Sequence, residues 1–426
     1  MRDKVIKYGF IAVVVIWAIL QLIFVHYYGS VDTIHGGDDA AYRSIAMTCY
    51  EQGMWYPNEL FYTDNFIFAP GYVNYQILLL HIFGSFWATL YLNVLLNVLI
   101  VVLLYSIGKK LFNKRVAYIV SLLYFLLSSN LLSPAFGYTE LPFILLSLVA
   151  MRLMIEDKWY WLLTGGIVLA FANWVRPLAI AWLVAAVCYL AYRFFIDHKG
   201  QWWHICMPVV GMAMMVCMIG GITRTHFPDF NYASTTGGWN LIMGANDHCN
   251  GTYNDEVFHN EGDIGYLDDP SISYNERDAF YKSQAITWIK ANPAKYIGFL
   301  PSKIKHLFLY DDQYAISGSV IGEQPKMVQL LSQLAFSYKI ARWFHNGLYW
   351  LLLLLSIVSL YYWKDKRVIL CQIIILMATA MTLVTVGHPR YHQVFMPQII
   401  LCASFMVDAL WNRFENKYND QMTNDK

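Results

Sequence analysis

The segment Tyr72-Val73-Asn74-Tyr75-Gln76-Ile77-Leu78-Leu79-Leu80-His81-Ile82-Phe83-Gly84 decides how the whole chain sits in a membrane. It is apolar but only about 13 residues long, whereas a helix needs about 20 to cross the hydrocarbon core. That length suits an interfacial or re-entrant helix. Counting it as a span would reverse every loop downstream. Ten other runs approach the required length: 8–26, 87–108, 116–134, 138–155, 159–175, 177–195, 204–222, 346–363, 367–386 and 391–411. Short cytoplasmic loops carry an excess of lysine and arginine. With 72–84 left out of the count, Arg2/Lys4/Lys7, Lys109/Lys110/Lys114/Arg115, Arg152/Lys158, Arg193/Lys199, Lys364/Lys366/Arg367 and Arg413/Lys417 fall on one side. With it counted, the cluster Lys109–Arg115 moves to the side opposite the N-terminus. Ten spans with both termini cytoplasmic is therefore the topology the sequence predicts.

Composition agrees. The 426 residues are 58% hydrophobic, 17% aromatic and only 14% charged, too few charges to build the surface of an ordinary soluble domain. A net charge of +1 gives no general attraction to nucleic acid. The apolar run after Arg2, Lys4 and Lys7 is too long for a signal-peptide core and has no small-residue cleavage site, so it reads as a retained first span. The seven cysteines form no CxxC pair, and most lie inside apolar runs, as small hydrophobes do. Cys49 and Cys249 fall in the outer loops, where a disulfide between them is a possibility in an oxidising compartment.

The extracytoplasmic face then receives two loops, about 27–86 and 223–345, and three corners, Ser133–Gly137, Asn173–Arg176 and Gly387–Arg390. Loop two is polar and rich in Gly, Asn and Asp from 231 to 269, with helical stretches expected at Asn275–Lys290 and Pro293–Leu309. The organisation is a module over 1–222, a loop-two unit over 223–345, and a C-terminal membrane unit over 346–426. No internal repeat marks an inverted-repeat transporter.

The unusual polar residues gather on this face. Asp38 and Asp39 begin an amphipathic helix, where acids suit the helix dipole and can cap it. Two adjacent carboxylates beside a bilayer exceed what a cap requires, which makes them catalytic candidates. Glu140 opens the fourth span, either as an ordinary first-turn acid or as a third catalytic carboxylate. Arg176 before Pro177, and Arg390 in Gly387-His388-Pro389-Arg390-Tyr391, could be snorkelling side chains. They stand where the positive-inside rule disfavours arginine, which points to anion binding. Lys303, Lys305 and His306 repeat that pattern and could equally rest against anionic headgroups. A carboxylate that can deprotonate a hydroxyl, beside cations that can hold a phosphate, suits a lipid-linked phosphosugar at the bilayer edge.

These residues, in this order, resemble the GT-C superfamily of polyprenyl-phosphate-dependent glycosyltransferases, in the branch with protein O-mannosyltransferases and the lipid A aminoarabinose transferase. The resemblance rests on Asp38-Asp39-Ala40-Ala41-Tyr42 with Gly53-Met54-Trp55-Tyr56-Pro57, on Pro70-Gly71-Tyr72 through Gly84, and on Tyr138-Thr139-Glu140. It extends through Val175-Arg176-Pro177, Gly237 to Asn246 with Gly251-Thr252-Tyr253, Ile289 to Pro293, and Arg390-Tyr391 through Pro397. It covers nearly the whole length. It implies an all-α polytopic bundle of the GT-C type, with about ten transmembrane helices, juxtamembrane helices and two extracytoplasmic loops. It implies inverting transfer of a sugar from a polyprenyl-phosphate donor to a lipid, glycan or protein acceptor, in a bacterial plasma membrane. Asp38 takes the place of the general base, Asp39 stands where the family often has Glu, and Glu140 matches a second acidic position. Tyr42, Tyr72, Arg176, Asn240, Asn246, Lys303, His388, Arg390 and Tyr391 are the substrate-binding expectations. Paired carboxylates such as Asp38 and Asp39 can also hold Mg²⁺ or Mn²⁺. The rival readings are a lipid-linked glycan polymerase or ligase of the same fold, a transporter, and a glycan-binding scaffold. A transporter needs ionisable residues near mid-span, and here the span interiors almost lack them.

Overall fold

The computed structural model describes residues 2–29, 31, 37–62, 66–156, 158–269, 271–311 and 335–424, and among them every regular element is helical. In chain order the α-helices are α1 Arg2–Tyr28, α2 Asp38–Glu51, α3 Pro70–Phe83, α4 Trp87–Leu111, α5 Lys114–Leu126, α6 Ser128–Leu132, α7 Glu140–Met154, α8 Trp159–Val175 and α9 Ile180–Phe195. They continue with α10 Met207–Thr223, α11 Gly237–Met243, α12 Tyr274–Ala291, α13 Pro293–Gly298, α14 Leu300–Phe308, α15 Ala335–Val358, α16 Lys366–Val384, α17 Pro389–Gln393 and α18 Met396–Asn424. The chain is an all-α, multi-pass membrane protein.

All ten predicted runs are helical, but among the described residues five helices meet the length and composition of a membrane span, or six with one bent pair. The pair is α5 and the turns that follow it, which meet at 72° where one straight span was expected. The backbone groups freed at the bend find partners inside the protein, as a break at membrane depth requires. The Ser128 N–H donates to His345 Nδ1 at 3.2 Å, and the Asn130 carbonyl accepts from Asn97 Nδ2 at 2.6 Å. Helices α8 and α9 are apolar but have 17 and 16 residues. Helix α15 is already helical at Ala335, before the expected 346.

The short apolar segment forms α3, a 14-residue helix with Pro70 in its first turn. It does not have the length of a span. Its buried face seats on the C-terminal end of α8, where a Cβ at Gly71 would stand 2.7 Å from the Trp174 carbonyl carbon. Small residues permit equally close contact elsewhere. A side chain at Gly166 would run into the Pro208 backbone of α10, and one at Gly211 into Leu163 of α8. In loop two, α12 spans the expected 275–290, opened by a Ser273/Glu276 capping box. The second expected helix is divided into α13 and α14, with Pro301 in the first turn of α14.

Basic residues collect at one end of the bundle. Lys110 pairs with Glu156 at 3.1 Å, and Arg115 with Asp408 at 3.4 Å, while Asn113 donates to Asp408 at 2.9 Å. The starts of α2 and α7, the end of α8 and the whole of α17 lie at the other end. There the chain assembles its candidate site.

Candidate functional site at the end of the bundle

Local sequence sets each site residue on a helix terminus. Gly37 caps α2 at φ 126°, a backbone conformation that favours glycine. Asp38 and Asp39 then occupy the first turn without making a side-chain cap, so the capping explanation for these acids is not what the fold uses. Glu140 is the first residue of α7, and Arg176 follows the last residue of α8, its N–H donating to the Ala172 carbonyl. In the Gly387-His388-Pro389-Arg390 corner every residue has a task. Gly387 lies so close to Lys303 that a Cβ would strike its backbone, and its N–H donates to the Gly251 carbonyl of loop two at 2.9 Å. The His388 Nδ1 caps α17 by accepting from the Arg390 N–H at 3.3 Å, and Pro389 fills the first turn.

The side chains then form a ladder of alternating charge. Arg390 Nη1 donates to Asp38 Oδ2 at 2.9 Å, and its Nε donates to Glu140 Oε1 at 2.9 Å. Arg176 Nη1 donates to the same Glu140 oxygen at 3.1 Å and to Thr139 Oγ1 at 2.9 Å. Asp39 pairs with Arg43, one helical turn on, at 3.6 Å. The Arg390 guanidinium lies 4.1 Å from the centre of the Tyr138 ring, and that of Arg176 lies 5.4 Å from Tyr391. Three carboxylates thus meet three guanidiniums within aromatic walls. Glu140 is only 2% exposed, and its Oε2 has no hydrogen-bond partner among the described residues. The Asp38 side chain is 51% exposed and stands at the mouth.

Burial sets the electrostatics outside the spans. Burial raises the Asp39 pKa above the usual carboxylate range, against the opposing pull of Arg43. Burial, then the neighbouring Arg390 cation, pushes His388 down to about 4, which keeps the imidazole neutral and able to accept. Burial also raises the Tyr42 hydroxyl, whose electrostatic neighbours are Asp38, Arg390, Arg176 and Glu140. Tyr42 therefore lies among the ladder residues. Tyr72 packs behind it, fully buried, with ring centroids 5.3 Å apart.

Other expectations separate from the site. The Lys303 Nζ turns inward, donating to the carbonyls of Gly244 at 3.0 Å and Leu383 at 3.3 Å, with the Tyr296 ring 4.5 Å away. Its side chain is fully buried, and burial lowers its pKa to about 8. It ties loop two to α16 and does not face the ladder. Asn240 donates to the Thr236 carbonyl at 2.9 Å, and Asn246 to the Ile242 carbonyl at 2.7 Å, so both brace α11. Cys49 and Cys249 are free thiols, both buried. Arg43 was not singled out by sequence, and Tyr138 and Thr139 entered only as the motif neighbours of Glu140. The i,i+4 spacing of Arg43 from Asp39 was a usable signal for the first.

Among the described residues no group of three or more His, Cys, Asp or Glu side chains could hold a metal ion. The space between Asp38 and Glu140 is taken by the Arg390 guanidinium, which bonds both at 2.9 Å. Asp38 and Asp39, the pair expected to hold a cation, are each already paired with a guanidinium, Arg390 at 2.9 Å and Arg43 at 3.6 Å.

No family model and no curated protein matches this sequence. Solved structures do match. The apo oligosaccharyltransferase of Archaeoglobus fulgidus superposes with a TM-score of 0.52 at 12% identity, over 97% of this chain and 52% of that one. The same organism's oligosaccharyltransferase AglB, in complex with an inhibitory peptide and a dolichol-phosphate, gives 0.50 at 13% identity, over 98% and 52%. ArnT from Cupriavidus metallidurans bound to undecaprenyl phosphate gives 0.42 at 12% identity, over 93% and 77%, too loose a superposition to argue from. The fold is thus shared with the archaeal oligosaccharyltransferase over nearly the whole of this chain, which spans about half the length of that protein.

Proposed function

We propose that this protein transfers a sugar from a polyprenyl-phosphate carrier to an acceptor hydroxyl, at the membrane face where Asp38, Glu140, Arg176 and Arg390 meet. The observation that carries the reading is the ladder itself. Residues from four separate parts of the chain converge there, with no more than 3.1 Å between bonded partners. The segregation of Lys110, Arg115 and their partners to the opposite end favours an extracytoplasmic site under the positive-inside rule. The fold shared with a protein that has been studied with dolichol-phosphate bound favours a lipid-linked donor.

In the proposed step the acceptor oxygen attacks the anomeric carbon while Asp38 takes its proton. The bond from that carbon to the phosphate oxygen breaks with inversion, and the lipid phosphate leaves with the bonding pair. Each guanidinium has five N–H donors, so Arg176 and Arg390 can hold Glu140 and still offer donors to the departing phosphate. The unpaired Oε2 of Glu140 can accept from a sugar hydroxyl. Gly251 of loop two, bonded to Gly387, brings the Gly-rich segment beside the corner, where it can exclude water as a competing acceptor. A polymerase or ligase of lipid-linked glycans would use the same donor chemistry with a different acceptor.

The test is to incubate the purified chain with a panel of labelled polyprenyl-phosphate sugars, beside Asp38→Asn. The reading expects one donor to be consumed by the wild type and spared by the variant. Consumption of none, or equal consumption by both, refutes it.

A further inference from the structure

Beneath the ladder lies a second titratable cluster that the proposed transfer step does not use. Asp311, His392 and His345 are all buried, the first two completely. His392 stands two residues beyond Arg390 on the five-residue helix α17. Its Nδ1 is 2.6 Å from the Leu307 carbonyl, and its Nε2 is 2.9 Å from Asp311 Oδ1. A carbonyl and a carboxylate can only accept, so both ring nitrogens donate. Tyr349 and Phe308 face the ring at centroid distances of 5.1 and 6.1 Å.

Asp311 is the hub. It accepts from Ser129 of α6 at 2.6 Å, its backbone N–H donates to Asn346 of α15 at 3.2 Å, and His345 Nε2 lies 3.4 Å from its Oδ2. Burial alone would raise this carboxyl, but the hydrogen bonds from His345 and His392 more than offset it and hold it below the usual range. Four segments therefore meet around Asp311 and His392: α6, the end of α14, the middle of α15, and α17. A helix as short as α17 has little internal stability, because nucleation is unfavourable and few hydrogen bonds close. What fixes its rotation must lie outside it. His388 holds its start, and His392 holds its far end.

We propose that Asp311 and His392 are the positioning pair of the site, locking α17 so that Arg390 lies between Asp38 and Glu140. This rests on the transferase reading for its kinetic consequences but not for its structural one. Asp311 touches none of the proposed reacting atoms and acts through Arg390. Displacement by about 1 Å of a group that positions substrate can cost on the order of 10²-fold in rate.

The full chain in detergent is tested in two ways. Hydrogen exchange of peptides covering 387–395 is expected to quicken about tenfold or more in Asp311→Ala, while α7 and α9 keep their protection. Asp311→Asn can still accept from His392 Nε2 through its amide oxygen, while its amide N–H donates to the Ser129 hydroxyl, so it is expected to restore protection. Unchanged exchange at 387–395 in Asp311→Ala overturns the proposal, whatever the protein catalyses. In the donor assay, Asp311→Ala is expected to lose about 10–100-fold in kcat/KM, with Asp311→Asn recovering most of the loss. In an Arg390→Ala background the same change should cost little further, because contacts acting through one group are not additive. An equal loss in both backgrounds overturns the positioning role. If the wild type consumes no donor, the transferase reading fails, and the exchange result alone decides this one.

Discussion

Replacing Arg390 by alanine removes the rung that joins the two halves of the ladder. Its bond to Asp38 is worth little to stability, since that carboxylate is 51% exposed and solvent supports it; such pairs contribute about 0–1 kcal/mol. Its bond to Glu140 is different, because Glu140 is 2% exposed, and stripping one partner from a buried pair costs about 3–5 kcal/mol. Arg176 still holds Glu140 at 3.1 Å, so the lower figure applies, about 3 kcal/mol. The cause is one surplus negative charge in the cluster, three acids (Asp38, Asp39 and Glu140) against two guanidiniums (Arg43 and Arg176), so a second change can remove it. Glu140→Gln in the Arg390→Ala background restores charge balance and should recover about half of the lost stability. Phosphate binding should not recover, since the cation is still missing. Loss of a charge-assisted hydrogen bond is worth about 1.5–3 kcal/mol, or roughly 10–100-fold in affinity. The assay is thermal or denaturant unfolding of the detergent-solubilised single and double variants, with titration of a polyprenyl phosphate on each. If the double variant is no more stable than Arg390→Ala, the buried charge is not what destabilises it, and the reasoning fails. If polyprenyl phosphate binds Arg390→Ala as it binds the wild type, the phosphate role fails.

Asp38→Asn should lower transfer by about 10²–10⁴-fold with unaltered membrane insertion, since general-base catalysis has that range; near-normal turnover would remove Asp38 from the mechanism. Lys303→Met should leave affinity for the lipid phosphate unchanged while lowering thermal stability by about 1–3 kcal/mol, because two buried carbonyls lose their donor. A large drop in phosphate affinity would return Lys303 to the site. His388 has a folded pKa of about 4 against an ordinary value of about 6.5, so the unfolded chain binds the extra proton between those values. Its contribution to stability is therefore complete above about pH 6.5 and falls as the pH drops toward 4. His388→Asn, which can still cap α17, should flatten that part of the stability profile; an unaltered profile would show that His388 is not the titrating group.

Much of the architecture was legible in the chain itself. Hydrocarbon admits few alternatives to helix, so long apolar runs had to be helices, and the brevity of 72–84 kept α3 out of the spans. In so apolar a sequence each charge beside a span is conspicuous, which is why Asp38, Glu140, Arg176 and Arg390 could be named as one group. Tertiary packing decided how they meet. Asp38 and Arg390 are 352 residues apart, and their 2.9 Å bond depends on how α2 and α17 are set by every helix between them. The same packing turned Lys303 inward to two carbonyls and bent the third predicted span at Leu127, outcomes that hydropathy and charge counts do not encode. It also brought Asp311 to His392 from 81 residues away. Sequence fixes which groups are costly to bury, but only the folded chain can supply the partners that make their burial tolerable.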